Sequence, residues 1–201
     1  MAVSTWEKLE NLRWEVFHRR KTTALPVKLA LSLLGAAVIG LAAQIKIPLP
    51  WTPVPITGQT FAVLLTGVLL GADGGFLSSA LYLLLGGAGV PWFAGASGGL
   101  AALAGPTGGY LAGFIVAACF TGFMCDRYSF ARRLPGLILV MLAANFILIH
   151  GPGLLWLGHA TGTHSFRELL MLGTLPFISG DLVKIAAAAA LARSILPRRG
   201  F

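Results

Sequence analysis

The chain has 201 residues, of which 56% are hydrophobic and only 11% charged, with a mean hydropathy of +0.81. A soluble domain carries about 25% charged residues, so the composition excludes one and indicates an all-α integral membrane protein whose backbone groups are satisfied within helices. The net charge of +8 does not point to nucleic acid, because most Lys and Arg residues stand in the N-terminal tail or beside hydrophobic spans, as membrane anchors do.

Residues 1–26 mix Trp6, Leu9, Leu12, Trp14 and Phe17 with charges. They read as an amphipathic helix on the cytoplasmic surface or as a partly ordered tail. A cleavable signal is not expected, since Glu7, Glu10 and Glu15 lie in this segment and the hydrophobic run begins only near Val27. The first span runs from Val27 to about Ala43. Ser32, Ala36 and Gly40 recur along it at every fourth residue, a stripe that admits close approach of another helix, either within the bundle or from a partner protein.

Between Ile45 and Pro55 stand prolines 48, 50, 53 and 55, which forbid a regular helix and predict a stiff extended loop. The second span, Ile56 to Leu70, carries Gln59 near its outer end. A tight turn at Gly71 to Gly75 leads into a third span, Phe76 to Leu85, with Ser78, Ser79 and Tyr82 on a polar side. Residues Gly86 to Gly109 form a long, uncharged, glycine-rich loop, expected to pack as a lid or re-entrant element over a cavity. No Gly-Lys-Ser/Thr follows it, so it is not a nucleotide-binding P-loop.

The fourth span is Tyr110 to Cys125, and a basic turn from Asp126 to Arg133 follows. Cys119 and Cys125 read as buried small hydrophobes. The fifth span runs from Leu134 to about Leu157, with Asn145 as its mid-span polar residue and a kink expected near Gly151-Pro152-Gly153. His150, His159 and His164 have no carboxylate at metal spacing and read as ordinary loop residues. The sixth span starts at Pro176, in a first turn where its missing N–H is harmless, and reaches Ile195.

This last span places Asp181 and Lys184 inside the membrane, three residues apart and on one helical face. Charges at that depth face the bundle interior and have partners. The two either pair only with each other and brace the bundle, or form a polar pocket for a small ligand that offers both N–H groups and a carboxylate.

Six spans place both termini on one side. Three basic groups then fall inside: Lys8, Arg13, Arg19, Arg20, Lys21 and Lys28; Arg127, Arg132 and Arg133; and Arg193, Arg198 and Arg199. Lys46 and Arg167 fall outside, so the expected topology is N-in, C-in. The divisions are a cytoplasmic segment 1–26, a membrane domain 27–196 and a cytoplasmic tail 197–201.

Several stretches together resemble one family: Ile47-Pro-Leu-Pro, Pro53-Val-Pro-Ile-Thr-Gly-Gln59-Thr, Leu81-Tyr-Leu-Leu-Leu-Gly, Gly89-Val-Pro-Trp-Phe-Ala-Gly, Gly98-Gly-Leu-Ala-Ala-Leu-Ala-Gly-Pro-Thr-Gly-Gly-Tyr110 and Leu175-Pro-Phe-Ile-Ser-Gly-Asp181-Leu-Val-Lys184. Over residues 27–195 the chain is similar to the BioY family, the biotin-binding S components of energy-coupling factor (ECF) transporters. It departs from the family pattern at Gly58 and in Gly151-Pro152-Gly153. The resemblance implies a six-helix S-component fold in a bacterial plasma (inner) membrane, with biotin captured from outside. It implies a membrane coupling protein and two cytoplasmic ATPases as partners, which use the ATP, or self-association instead. It also implies a ligand site containing Asp181 and Lys184, with Gln59, Tyr82, Trp92, Phe93, Ser97 and Gly98 as further members. No cofactor, metal or catalytic residue is implied; a membrane enzyme using Asp181 and Lys184, or a channel with the uncharged loops as its vestibule, are the alternatives.

Overall fold

The computed structural model describes residues 5–197. Residues 198–201 of the expected tail, with Arg198 and Arg199, lie outside the described residues. Helix α1, Thr5–Thr22, is followed by α2, Leu25–Ala43, with Pro26 in its first turn. The leucines and valines Leu29, Leu33, Leu34, Val38 and Leu41 of α2 are exposed on the outside of the bundle, a surface suited to lipid.

The small-residue stripe of α2 points the other way. Ser32 and Ala36 are fully buried, and a Cβ at Gly40 would sit 3.1 Å from the Trp92 side chain. The stripe is therefore occupied by internal packing, and the reading of it as a partner-protein face is corrected: the space it creates is already filled.

The proline-rich segment is extended, and its two halves pair. Strands β1, Lys46–Leu49, and β2, Thr52–Thr57, form an antiparallel hairpin with Lys46 opposite Thr57 and Ile47 opposite Ile56. The register breaks between Ile47 and Leu49, where Pro48 has no N–H to donate. The pairing is an addition to the expected all-α architecture.

Helix α3 spans Gln59–Gly87, but Gly71 within it has φ 79° and ψ −178°. The chain reverses there. A Cβ on Gly75 would fall 2.7 Å from the Gly67 Cα, and Gln59 hydrogen-bonds Tyr82 at the far ends of the two arms. The reversal leaves carbonyls and an N–H without helical partners. Arg20 of α1 donates to the Val68 and Leu69 carbonyls at 2.7 and 3.0 Å and pairs with Asp126, which in turn accepts the Ala72 N–H at 3.0 Å. The N-terminal helix is thus a cap for the α3 bend, with Phe17 buried and the Arg20 and Arg132 guanidinium groups against its ring.

After a short α4, Leu100–Ala104, helix α5, Gly108–Arg127, packs into the α3 hairpin at backbone distance. A 3₁₀ turn, Phe130–Arg132, leads to α6, Leu134–Ala143. It continues through a π-helical turn, Ala144–Ile149, into α7, His150–Thr161. The expected irregularity near Pro152 is displaced to the turn before it, where the missing Pro152 N–H and the bulk of its ring forbid regular α bonding to the preceding turn. Helix α8, Phe166–Gly173, is capped by Ser165. Pro176 sits in a 3₁₀ turn, and α9 then runs Ile178–Ile195. Among the described residues, five helical segments are long and apolar enough to cross a membrane: Leu25–Ala43, Gln59–Gly87, Gly108–Arg127, Leu134–Thr161 and Phe166–Ile195. The sequence count of six differs from this only in treating the two arms of α3 separately.

Candidate functional site

The starts of α3, α5, α7 and α9 converge with the hairpin and the glycine-rich loop around a cavity of about 490 Å³. Its volume lies within the usual range for small-molecule sites. Val54 of β2, Phe93 of the loop, Leu111 and Phe114 of α5, Ile149, and Phe177 before α9 supply apolar wall. Polar groups enter from Lys46, Thr57, Gln59, His150, Asp181 and Lys184.

Asp181 is 2% exposed and sits in the first turn of α9. Lys184 Nζ lies 2.6 Å from its Oδ1 and donates to the Thr57 carbonyl at 3.1 Å. Its Oδ2 accepts from Asn145 Nδ2 at 2.9 Å and faces His150 Nε2 at 3.0 Å. The sequence reading of His150 as an ordinary loop residue is corrected: it is buried at the α7 start, with Nδ1 3.0 Å from the Gly173 carbonyl and 3.1 Å from Thr174 Oγ1.

Asn145 and His150 meet one carboxylate because the intervening turn is π-helical. In a straight α-helix, residues five apart diverge by about 140° around the axis; the widened turn brings them to one side. π-turns of this kind occur often at functional sites. The consequence is a carboxylate fixed from three directions. Two groups occupy Asp181 Oδ2 and one occupies Oδ1, so Oδ1 retains one lone pair. The site can receive one N–H donor there, beside an ammonium that still has a proton to give.

Gln59, 5% exposed, accepts at Oε1 from the Thr57 hydroxyl at 2.8 Å and donates from Nε2 to the Tyr82 hydroxyl at 2.7 Å. Its second N–H is available to a ligand carbonyl. Tyr82 and Trp92, expected as members of the ligand site, stand behind the cavity wall. Trp92 Nε1 donates to the Tyr82 carbonyl at 2.9 Å, and Tyr82 meets Phe93 edge-on at 5.2 Å between centroids. The Tyr82 hydroxyl is committed to Gln59 and the Trp92 carbonyl, and the Trp92 N–H to the α3 backbone. Phe93, Ser97 and Gly98 do line it. The Ser97 hydroxyl bonds the Ala94 carbonyl at 3.2 Å, while a Cβ on Gly98 would lie 2.6 Å from the Val90 carbonyl oxygen. These two residues shape the loop.

The structure therefore joins Asp181, Lys184, Gln59, Phe93, Ser97 and Gly98 and sets Tyr82 and Trp92 one layer back. It adds Asn145, which braces Asp181, and His150 and Lys46, which line the cavity. The signal for Asn145 was present in the sequence, since an amide in mid-span requires a partner.

The model of the BioY family matches residues 17–200. The chain is 48% identical over 142 residues to the probable biotin transporter BioY of Methanothermobacter thermautotrophicus, covering 68% of this chain and 90% of that one. It is 40% identical over 157 residues to the biotin transporter BioY of Thermotoga maritima, covering 78% and 88%. A crystal structure of the S-component for biotin from an ECF-type ABC transporter is similar with a TM-score of 0.77 and 27% identity, over 86% of this chain and 92% of that one.

Proposed function

Because the chain belongs to the BioY family, we propose that it is the biotin-binding S component of an ECF-type ABC transporter, a multi-pass protein of the plasma (inner) membrane that takes up biotin. Its role is transport, not catalysis. The observation that carries the reading is the open acceptor on buried Asp181 beside Lys184, in a cavity with apolar walls that Gln59 also lines. A ureido group presents N–H donors next to a carbonyl oxygen, which suits a carboxylate flanked by an ammonium and an amide N–H. The thiolane and valerate chain suit the apolar surface around Phe93, Phe114 and Phe177.

In this reading each arm of α3 is a crossing, which gives six spans with both termini inside. The arms measure about 18 and 24 Å at 1.5 Å per residue, short for a hydrocarbon layer of about 30 Å. The Arg20 and Asp126 caps support burial of the α3 bend near the cytoplasmic surface, where the basic residues also gather. A membrane coupling protein and two cytoplasmic ATPases supply the energy. Burial of the Ser32, Ala36 and Gly40 stripe inside the bundle supports a contact surface elsewhere on the protein.

Calorimetric titration of the detergent-purified protein with biotin tests the function, with thiamine as an unrelated control. One biotin per chain and no heat from thiamine is expected; absence of biotin binding by folded protein would refute the reading. The topology is tested separately, by single cysteines at Ser97 and Arg133 in a background with Cys119 and Cys125 replaced by alanine. An impermeant maleimide is expected to label Ser97→Cys and spare Arg133→Cys in intact cells. The reverse pattern would invert the orientation.

A further inference from the structure

The cavity holds a second lysine with a different electrostatic setting. Lys46 opens β1 and pairs across the hairpin with Thr57, so their side chains stand on one face of it, and both line the cavity. Lys184 reaches the same place from α9, through its bond to the Thr57 carbonyl. The two ammonium groups are not equivalent. Lys184 is paired with Asp181 at 2.6 Å, whereas no carboxylate among the described residues forms an ion pair with Lys46.

Lys46 runs close along the glycine-rich loop. Gly95 of the glycine-rich loop has φ 78°, and a Cβ there would lie 2.8 Å from Lys46 Nζ and 3.3 Å from its Cδ. The absence of a side chain at this position leaves the lysine its path along the loop. The loop is tied down by Gln44, which accepts the Ala96 N–H at 3.0 Å and donates to the Trp92 and Phe93 carbonyls at 3.2 and 3.3 Å.

We propose that Lys46 holds the free carboxylate of the ligand at the cavity mouth and makes the site select an acid over its neutral amide. The assignment rests on the biotin reading and fixes the ligand's direction. A carboxylate placed at the inner end would oppose Asp181, whereas a ureido N–H is attracted there. Lys184 is already matched by Asp181, so the cation left for the valerate carboxylate is Lys46. Its exposure at the mouth suits an end group that enters last and keeps part of its hydration.

The test compares biotin with biotinamide on the parent protein, Lys46→Met and Lys46→Arg by calorimetry. Methionine keeps an apolar stem and removes the charge. The parent is expected to prefer biotin by about tenfold, the size of one charge-assisted hydrogen bond. Lys46→Met is expected to bind both ligands with the parent's amide affinity, and Lys46→Arg to keep the preference. Three results would overturn the assignment: no preference in the parent, a preference that survives in Lys46→Met, or equal loss of both ligands in that variant. If Asp181→Asn still weakens biotin in these circumstances, the biotin reading stands and only the role of Lys46 falls. If the parent binds neither ligand, the biotin reading itself fails.

Discussion

Asp181→Asn is expected to weaken biotin by roughly tenfold to a hundredfold and to lower the thermal stability of the unliganded protein. The carboxylate has donors on both oxygens, Lys184 on one and Asn145 with His150 on the other. An amide can satisfy only one of these sides. Its NH₂ turned toward Asn145 and His150 opposes the Asn145 donor and the His150 contact; turned toward Lys184, it opposes the ammonium and removes the open acceptor. Losing one charge-assisted hydrogen bond to the ligand costs about 1.5–3 kcal/mol, which is the affinity loss given above. Lys184 also loses its counter-charge within the bundle, which is the source of the stability loss. Monodispersity, thermal unfolding and biotin titration on one preparation separate the two effects. A stable variant with the parent's affinity would reduce the Asp181 and Lys184 pair to a brace.

The second large effect is expected where α5 meets the reversal of α3. A Cβ at Gly122 would lie 2.3 Å from the Gly71 carbonyl carbon and 2.5 Å from the Ala72 nitrogen. Both are backbone atoms of the bend, so no rotamer change relieves the contact. Overpacking of this kind costs about 1–3 kcal/mol even when the structure yields, so Gly122→Ala is expected to lower the melting temperature by about 2–12 °C. Gly122→Leu is expected to give no monodisperse protein. Gly151→Ala is the matched control, because a Cβ there meets nothing within 4 Å, and it should melt with the parent. A Gly122→Ala protein as stable as Gly151→Ala would show that α5 does not seat against the bend.

Much of this was legible in the chain, and the gaps have identifiable causes. Hydropathy marked the helices because each backbone group in lipid needs an internal partner. Asp181 and Lys184 stood out because charge in an apolar run demands compensation. His150 and Lys46 did not. His150 follows Asn145 by five residues, a spacing that points apart on an α-helix and converges only through the π turn. Lys46 read as an outer-loop charge because the hairpin that turns it inward depends on pairing between proline-rich strands. The stripe on α2 was ambiguous for a different reason. Small residues prepare a close approach without stating whose, and Trp92, which packs on its Gly40 end, comes 52 residues after Gly40, from a distant loop.

The central claim is that Asp181 receives a ureido N–H, and the most direct measurement is the affinity of the parent and Asp181→Asn proteins for biotin and for its ureido N-methyl derivatives. Methylating the nitrogen that faces Asp181 removes the donor and leaves the rest of the ligand in place. The parent is expected to prefer biotin over one of the two N-methyl isomers by at least about tenfold, and Asp181→Asn to lose most of that preference. Equal binding of biotin and both isomers by the parent, or an undiminished preference in a folded Asp181→Asn protein, would contradict it.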